Sequence, residues 1–278
     1  MYKRQYDKLK PPREVIQNLF SFGVNKLSRN TAIRLYVDTP LAVGGEISFN
    51  EEQSRYLGAV MRLAPGDAVL LFDGINGEFS AEIVSLGKKT GAAAVVARTR
   101  PFAPAADVWL LFAPVKKDRT DFIIEKATEL GAGKIIPVIT RHTITDKVRV
   151  ERLRAQAAEA AEQSRRVEVP EIGAPVRLEK LLADWDPARR LFFMDESGRG
   201  RPAAEAFGEY QGPAALLVGP EGGFAEEELN GLRSRSFARA VSLGPLILRA
   251  ETAAAAALSV WQAISGLWNG EKNEKEGE

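Results

Sequence analysis

The sequence predicts an α/β protein, with a small β-rich domain ahead of a larger, mostly parallel sheet covered by helices. Three observations predict it. Residues 33–100 alternate apolar and polar positions, with one helical interruption. From Val108 onward, short apolar runs alternate with helical patterns, the signature of a parallel sheet buried on both faces. Two of the later runs meet Gly219 and Gly244, each followed by a helical pattern.

Taken in order, Ile33–Val37 alternates as a strand should. Asn50 can cap a helix, with Gln53 three residues on, and Tyr56, Leu57, Val60 and Met61 share its apolar face. Asp67–Phe72 runs as a strand into a turn at Asp73-Gly74, Phe79, Ala81 and Ile83 alternate again, and Ala92–Ala97 forms a further strand. Pro101 and Pro104 then mark a linker. Beyond it, Trp109–Val115 is apolar, and Ile123, Ala127 and Leu130 fall at helical spacing before Gly131. Ile135–Ile139 is the next strand, and Leu153, Ala157, Ala160 and Ser164 mark the next helix. Leu191–Met194, Ala214–Val218 and Ala240–Leu243 supply more strands, and a last helix from about Thr252 aligns Ala257, Val260, Trp261 and Ile264. The domains expected are 31–102 and 106–270, flanked by a basic extension at 1–30 and a charged tail at 271–278.

Composition narrows the chemistry. The 278 residues contain no Cys and one His, His142, which excludes thiolate metal sites and Cys nucleophiles and argues against a His-based metal centre or triad. Lys plus Arg (38) nearly balances Asp plus Glu (37), so any nucleic-acid surface must be local. Residues 1–30 hold seven basic residues against two acidic ones, as a flexible extension or an RNA-contacting arm would. No run approaches the roughly 20 apolar residues of a membrane span, and the expected location is the cytoplasm. The nucleotide-binding loops GxxxxGK[ST] and GxGxxG are both absent.

The most informative residues are LLVGPEGGF at Leu216–Phe224 and SLGPLILRAETAAAA at Ser242–Ala256. A strand that ends on glycine lets a ligand approach the backbone, and two such edges can wall one pocket. With KKDRTDFIIEKATELGAGKIIPV (Lys116–Val138), AAEAAEQSRRVEVPEI (Ala157–Ile172) and LAPGDAVLLFDGINGEFSAEI (Leu63–Ile83), these blocks resemble, in the same order, the RsmE family, bacterial methyltransferases acting on uridine N3 of 16S ribosomal RNA. The resemblance spans about residues 33–268. It implies a SPOUT-type knotted parallel sheet behind a PUA-like RNA-binding domain. It further implies S-adenosyl-L-methionine as cofactor, a homodimer, the small ribosomal subunit as partner, and no metal. Alternatives are the same fold methylating another RNA nucleotide, or a catalytically silent RNA-binding assembly factor.

On this resemblance the cofactor is held by Leu217, Gly219, Pro220, Glu221 and Gly222 of the first loop and by Leu243, Gly244, Ile247 and Leu248 of the second. The glycines leave backbone groups open and the aliphatic side chains supply apolar walls. Glu221 can accept ribose hydroxyls or stabilise the following helix N-terminus. Uridine N3 is a poor nucleophile while protonated. Arg249 is the candidate cation for the developing charge on O2 or O4, or else a salt-bridge or phosphate contact. Glu251 is the candidate base or Arg-orienting carboxylate, or simply an acid in the first helical turn; Thr252 reads as the cap. Arg34, Arg55, Arg62, Arg165 and Arg166 together suit a phosphate-gripping surface, although each alone reads as an ordinary solvated charge. His142 reads as a loop residue. Two departures from relatives stand out: Leu246 replaces a frequent Arg after LGP, and EQSRR lacks the Gly that often follows the Ser.

Overall fold

The computed structural model describes residues 33–104, 106–145, 147–265 and Trp268. The basic extension at 1–30 and the tail at 271–278 lie outside the described residues. The described residues form two compact units, one holding those before Asp73 together with Glu78–Arg100, the other the Asp73–Gly77 turn with those from Pro101 onward.

The first unit is a five-stranded sheet built from β1 (Arg34–Tyr36), β2 (Glu46–Phe49), β3 (Ala68–Phe72), β4 (Glu78–Leu86) and β5 (Gly91–Arg100), in the order β1-β3-β4-β5-β2. Only the β1–β3 pair is parallel. Alternation puts Phe79, Ala81 and Ile83 of β4 inside with Val69, Leu71 and Val95. Helix α1 (Glu51–Arg55) begins with the expected capping box: the Gln53 N–H donates to Asn50 Oδ1 at 2.9 Å and the Asn50 N–H to Gln53 Oε1 at 3.1 Å. The chain then widens into a π-turn over Tyr56–Val60. This rotates the apolar face expected from helical spacing. Leu57 is buried, but Val60 and Met61 face solvent.

The second unit is an all-parallel sheet in the order β11-β13-β10-β12-β6-β7-β8, with β9 also pairing β7. Its strands are β6 (Val108–Phe112), β7 (Lys134–Ile139), β8 (Glu171–Ile172), β9 (Val176–Arg177), β10 (Arg190–Met194), β11 (Arg201–Pro202), β12 (Ala214–Val218) and β13 (Ala238–Ser242). Because successive residues face opposite sides, Leu110, Phe112, Leu216 and Val218 enter one core with helices α2 (Lys117–Glu129), α3 (Val150–Ser164), α5 (Ala203–Gly208) and α7 (Ala250–Ser265). Leu111, Phe193 and Leu217 enter the other core with α4 (Leu178–Ala183) and α6 (Glu226–Arg233). Helix α7 starts at Ala250, two residues before the expected Thr252, so Thr252 lies within its first turn rather than capping it. No helix of the described residues is long and apolar enough to cross a membrane.

Candidate active site

In a parallel sheet the open positions lie beyond the carboxyl ends of the strands. Three of these ends matter here: β6 leading to Pro114, β12 to the GPEGG loop, and β13 to the LGPLILR loop. The Ala113 N–H donates to Val218 O at 3.0 Å, which joins the first two directly. In GPEGG two of the three glycines are required by geometry. A Cβ at Gly219 would stand 3.0 Å from the Phe224 ring, and Gly223 has φ +67°. The loop closes with the Gly223 N–H donating to Pro220 O at 2.9 Å.

Two long-range contacts hold this loop from the exit of β7. His142 Nδ1 lies 3.1 Å from Gly222 O and 3.2 Å from Gly223 O, so an Nδ1–H tautomer donates to the turn. The Arg141 N–H donates to Glu228 Oε1 at 2.8 Å, while Glu228 Oε2 accepts from the Ala225 N–H at 2.9 Å and caps α6. His142 is therefore more than the loop residue its sequence context suggests.

A third contact comes from the first turn of α2. Arg119 Nη1 bonds Glu221 Oε1 at 2.9 Å, and Arg119 Nε lies 3.6 Å from Glu251 Oε1. One guanidinium thus links the GPEGG loop to the first turn of α7, across 102 residues of chain in the first case. The Glu251 side chain is largely buried, and its Oε2 has no hydrogen-bond partner among the described residues. A buried carboxylate oxygen without a donor is costly unless something else supplies one. Arg119 was not singled out from the sequence; its signal is a cation in a first helical turn just past a strand end.

The second loop has the backbone its glycine permits. Gly244 has φ +113°, and a Cβ there would meet nothing within 4 Å. Leu243 and Leu248 pack against the core, whereas Ile247 is 83% exposed and Leu246 77%. Ile247 therefore presents no wall within this chain. Leu217 is fully buried among core side chains, so its side chain is not available to a ligand. Pro220 is buried, and Glu221 and Gly222 lie at the surface. Arg249 is exposed, and its carbonyl accepts from the Ala253 N–H at 2.8 Å as α7 begins.

Residues 103–262 match the model of the RNA methyltransferase domain family, and residues 49–95 match that of the RNA methyltransferase PUA domain. The chain belongs to the ribosomal RNA small subunit methyltransferase E (RsmE) family. The relative so named from Rickettsia conorii is 32% identical over 227 residues, covering 81% of this chain and 93% of its own length. The one from Mycobacterium bovis is 30% identical over 260 residues, covering 88% and 97%. The crystal structure of the Neisseria gonorrhoeae enzyme, bound to S-adenosyl methionine, superimposes with a TM-score of 0.76 at 28% identity, covering 85% of this chain and 99% of that one.

In this RsmE family member the arginines proposed for RNA divide into two kinds. Arg34 is internal: its Nε bonds Glu78 Oε2 at 2.7 Å, with side-chain exposures of 7% and 6%, and its guanidinium lies 4.6 Å from the Phe72 ring centroid. Arg166 is also internal, bonding Glu168 Oε1 at 2.6 Å and donating to the Thr128 and Ala132 carbonyls. Burial pushes its guanidinium pKa down against the opposing pull of Glu168. Arg34 is buried and Arg166 only slightly exposed, and both guanidiniums are committed to carboxylates, which leaves little of either for a phosphate. Arg55, Arg62 and Arg165 are exposed. Arg62 (φ +57°) and Arg165 (φ +61°) are the two non-glycine residues with left-handed backbone among the described residues. Such conformations cost about 1–2 kcal/mol, and they concentrate at functional sites. Arg165 ends α3 in a left-handed conformation that suits glycine, and nothing in the structure explains the arginine there.

Proposed function

We propose that this chain methylates N3 of a uridine in 16S ribosomal RNA, using S-adenosyl-L-methionine. The observation that carries the reading is the Arg119 bridge between Glu221 and Glu251, with Glu251 Oε2 buried and unbonded beside it. A cofactor fit is supported by the residues themselves. The space at the Gly244 Cβ is open, the backbone of both loops is accessible at Gly222 and Gly244, and Glu221 offers a carboxylate of the kind ribose hydroxyls bind. When bound there, S-adenosylmethionine supplies an electrophilic methyl group carried on a sulfonium.

The remaining steps belong to this chain. Glu251 Oε2 accepts the proton from uridine N3–H, which frees the nitrogen lone pair. Arg249 offsets the negative charge that then spreads to O2 and O4. Arg119 holds the Glu251 carboxylate at Oε1; Oε2 is buried, so the step requires the first turn of α7 to yield as the base enters. The strained arginines Arg62 and Arg165, together with Arg55, grip phosphates of the RNA. The homodimer is part of the same proposal: the exposed side chains of Leu246 and Ile247 give a second copy an apolar contact beside the loop. So are the threading of the loops as a SPOUT knot and the cytoplasmic location.

Methyl transfer from labelled cofactor to small ribosomal subunits lacking the modification tests the reading. Methylated N3 blocks the pairing edge, so reverse transcription should stop at one uridine. Arg249→Ala and Glu251→Gln should keep cofactor binding and lower turnover by about 10²-fold or more each. Full turnover by both variants would refute the assigned roles. Incorporation at a base other than uridine would refute the substrate.

A further inference from the structure

A cavity of about 330 Å³ opens beside the first turn of α2, outside both glycine loops. That volume is near the lower end of the range for small-molecule sites, about 300–1,000 Å³. Its apolar surface comes from Pro114, Val115, Val148 and Leu153, of which Val115 and Leu153 are fully buried. Lys117, Lys147, Arg149 and Arg152 supply four cations, and no carboxylate lines it among the described residues.

The four cations are not equivalent. Arg152 is fixed in place, with Nη2 2.6 Å from Asp121 Oδ1 and Nη1 2.8 Å from Asp121 Oδ2. Lys117, Lys147 and Arg149 are exposed and form no ion pair among the described residues. Three cations with no counter-charge among the described residues, gathered on an apolar pocket, repel one another. They form a surface suited to an anion with a flat, apolar body.

The position of the cavity narrows the choice of anion. Pro114 and Val115 follow the carboxyl end of β6, where ligands of parallel sheets bind. Lys117 and Arg119 share the first turn of α2, and one helical turn rises only about 5.4 Å. Arg119 is the residue that bonds Glu221 and approaches Glu251. The cavity is thus next to the proposed site of methyl transfer, separated from it by the turn that carries Arg119.

We propose that this cavity receives a nucleotide of the substrate RNA strand that flanks the target uridine. Its phosphate lies on Lys117, Lys147 and Arg149, and its base and ribose lie against Val115, Val148 and Leu153. The inference rests on the methyltransferase reading for the identity of the strand. It adds a second grip within the catalytic unit, independent of the arginines of the first unit. Holding the neighbouring nucleotide fixes the target base in register without reading its sequence.

The test uses the full chain and a fluorescein-labelled single-stranded RNA oligonucleotide containing uridine, with affinity read by anisotropy over a salt series. The triple variant Lys117→Gln/Lys147→Gln/Arg149→Gln is compared with a control triple, Arg154→Gln/Arg177→Gln/Arg235→Gln. The control removes the same charge from exposed positions that do not line the cavity. Single-strand contacts contribute about 0.7 each to the salt slope, so the cavity variant should lower the slope by about 2 and weaken binding about tenfold or more. Cofactor affinity should stay within about twofold, because no lining residue belongs to either glycine loop.

An equal loss in the control triple would overturn the proposal, since general electrostatics would then suffice. Unchanged RNA affinity in the cavity variant would overturn it as well. Loss of cofactor affinity with RNA affinity intact would reassign the cavity to the cofactor. RNA binding is read without turnover, so a wild-type chain that binds RNA through the cavity but transfers no methyl group would refute the function proposed above and leave this site standing.

Discussion

Replacing Glu78 by Gln should destabilise the first unit by about 3 kcal/mol and spare the second. Glu78 is the buried counter-charge of Arg34, with Oε2 accepting from Arg34 Nε and Arg100 Nη2, both at 2.7 Å. Its Oε1 accepts from Thr99 Oγ1 at 2.9 Å and Arg100 Nε at 3.1 Å. Arg100 is 42% exposed, so water can replace its partner. Arg34 is 7% exposed, so water does not readily take the place of Glu78 there. Breaking a buried ion pair by removing one member costs about 3–5 kcal/mol, and a glutamine that still accepts one hydrogen bond puts the loss near 3. A unit of roughly 70 residues holds about 3–10 kcal/mol in all, so the substitution removes a third of its stability or all of it. The assay follows from the sequence: all four tryptophans, 109, 185, 261 and 268, lie in the second unit. Tryptophan fluorescence in urea should be unchanged while hydrogen-exchange protection across Ala68–Arg100 falls. The pH dependence has a definite sign. Burial alone would raise the Glu78 pKa, but hydrogen bonds from Arg100 and Arg34 and the Arg34 charge outweigh it and hold it below the usual value. A lowered folded pKa means that the stabilisation is complete above the unfolded value of about 4.3 and is lost as pH falls through the folded one. The difference between wild type and variant should therefore be constant near neutrality and shrink below about pH 4.3. Intact protection in β3–β5 of the variant at pH 7 would refute the account of Arg34.

The other predictions concern the second unit. Arg119→Met should lower methyl transfer about 10²-fold, because Glu251 and Glu221 lose the group that orients them, yet it should barely move the melting temperature, since the bridge is about one-third exposed. A large fall in melting temperature with unchanged turnover would show Arg119 to be a structural brace. Arg165→Gly should stabilise the chain by about 1 kcal/mol by relieving the left-handed backbone at φ +61°, raising the melting temperature by about 2–4 °C. The same change should weaken binding to small-subunit RNA. A variant that is less stable, or that binds RNA as tightly as before, would remove the case that strain at Arg165 is retained for function.

What the sequence made legible, and what it hid, divides along one physical line. Local backbone chemistry could be read. The capping box at Asn50 and Gln53, the buried run Ala214–Val218 and the glycine loops that end β12 and β13 all follow from residues within a few positions of each other. The apolar face of α1 could be read only in part, because the π-turn over Tyr56–Val60 breaks the helical period on which the expectation rests. Side-chain partners could not be read at all. Arg34 looks like a surface cation until Glu78, 44 residues away, is seen beside it. The GPEGG loop is held by Arg119 across 102 residues and by His142 across 80 and 81. This asymmetry bears on the site itself. Glycines set the shape of a loop by what they omit, which is a local property, whereas the Glu221 and Glu251 side chains are held by a guanidinium that only the sheet order brings near. In that order β6 is hydrogen-bonded to β12, which puts the first turn of α2 beside the loop after β12. The fold thereby supplies the cation that neither loop encodes, and removing Arg119 is the perturbation that separates loop shape from loop charge.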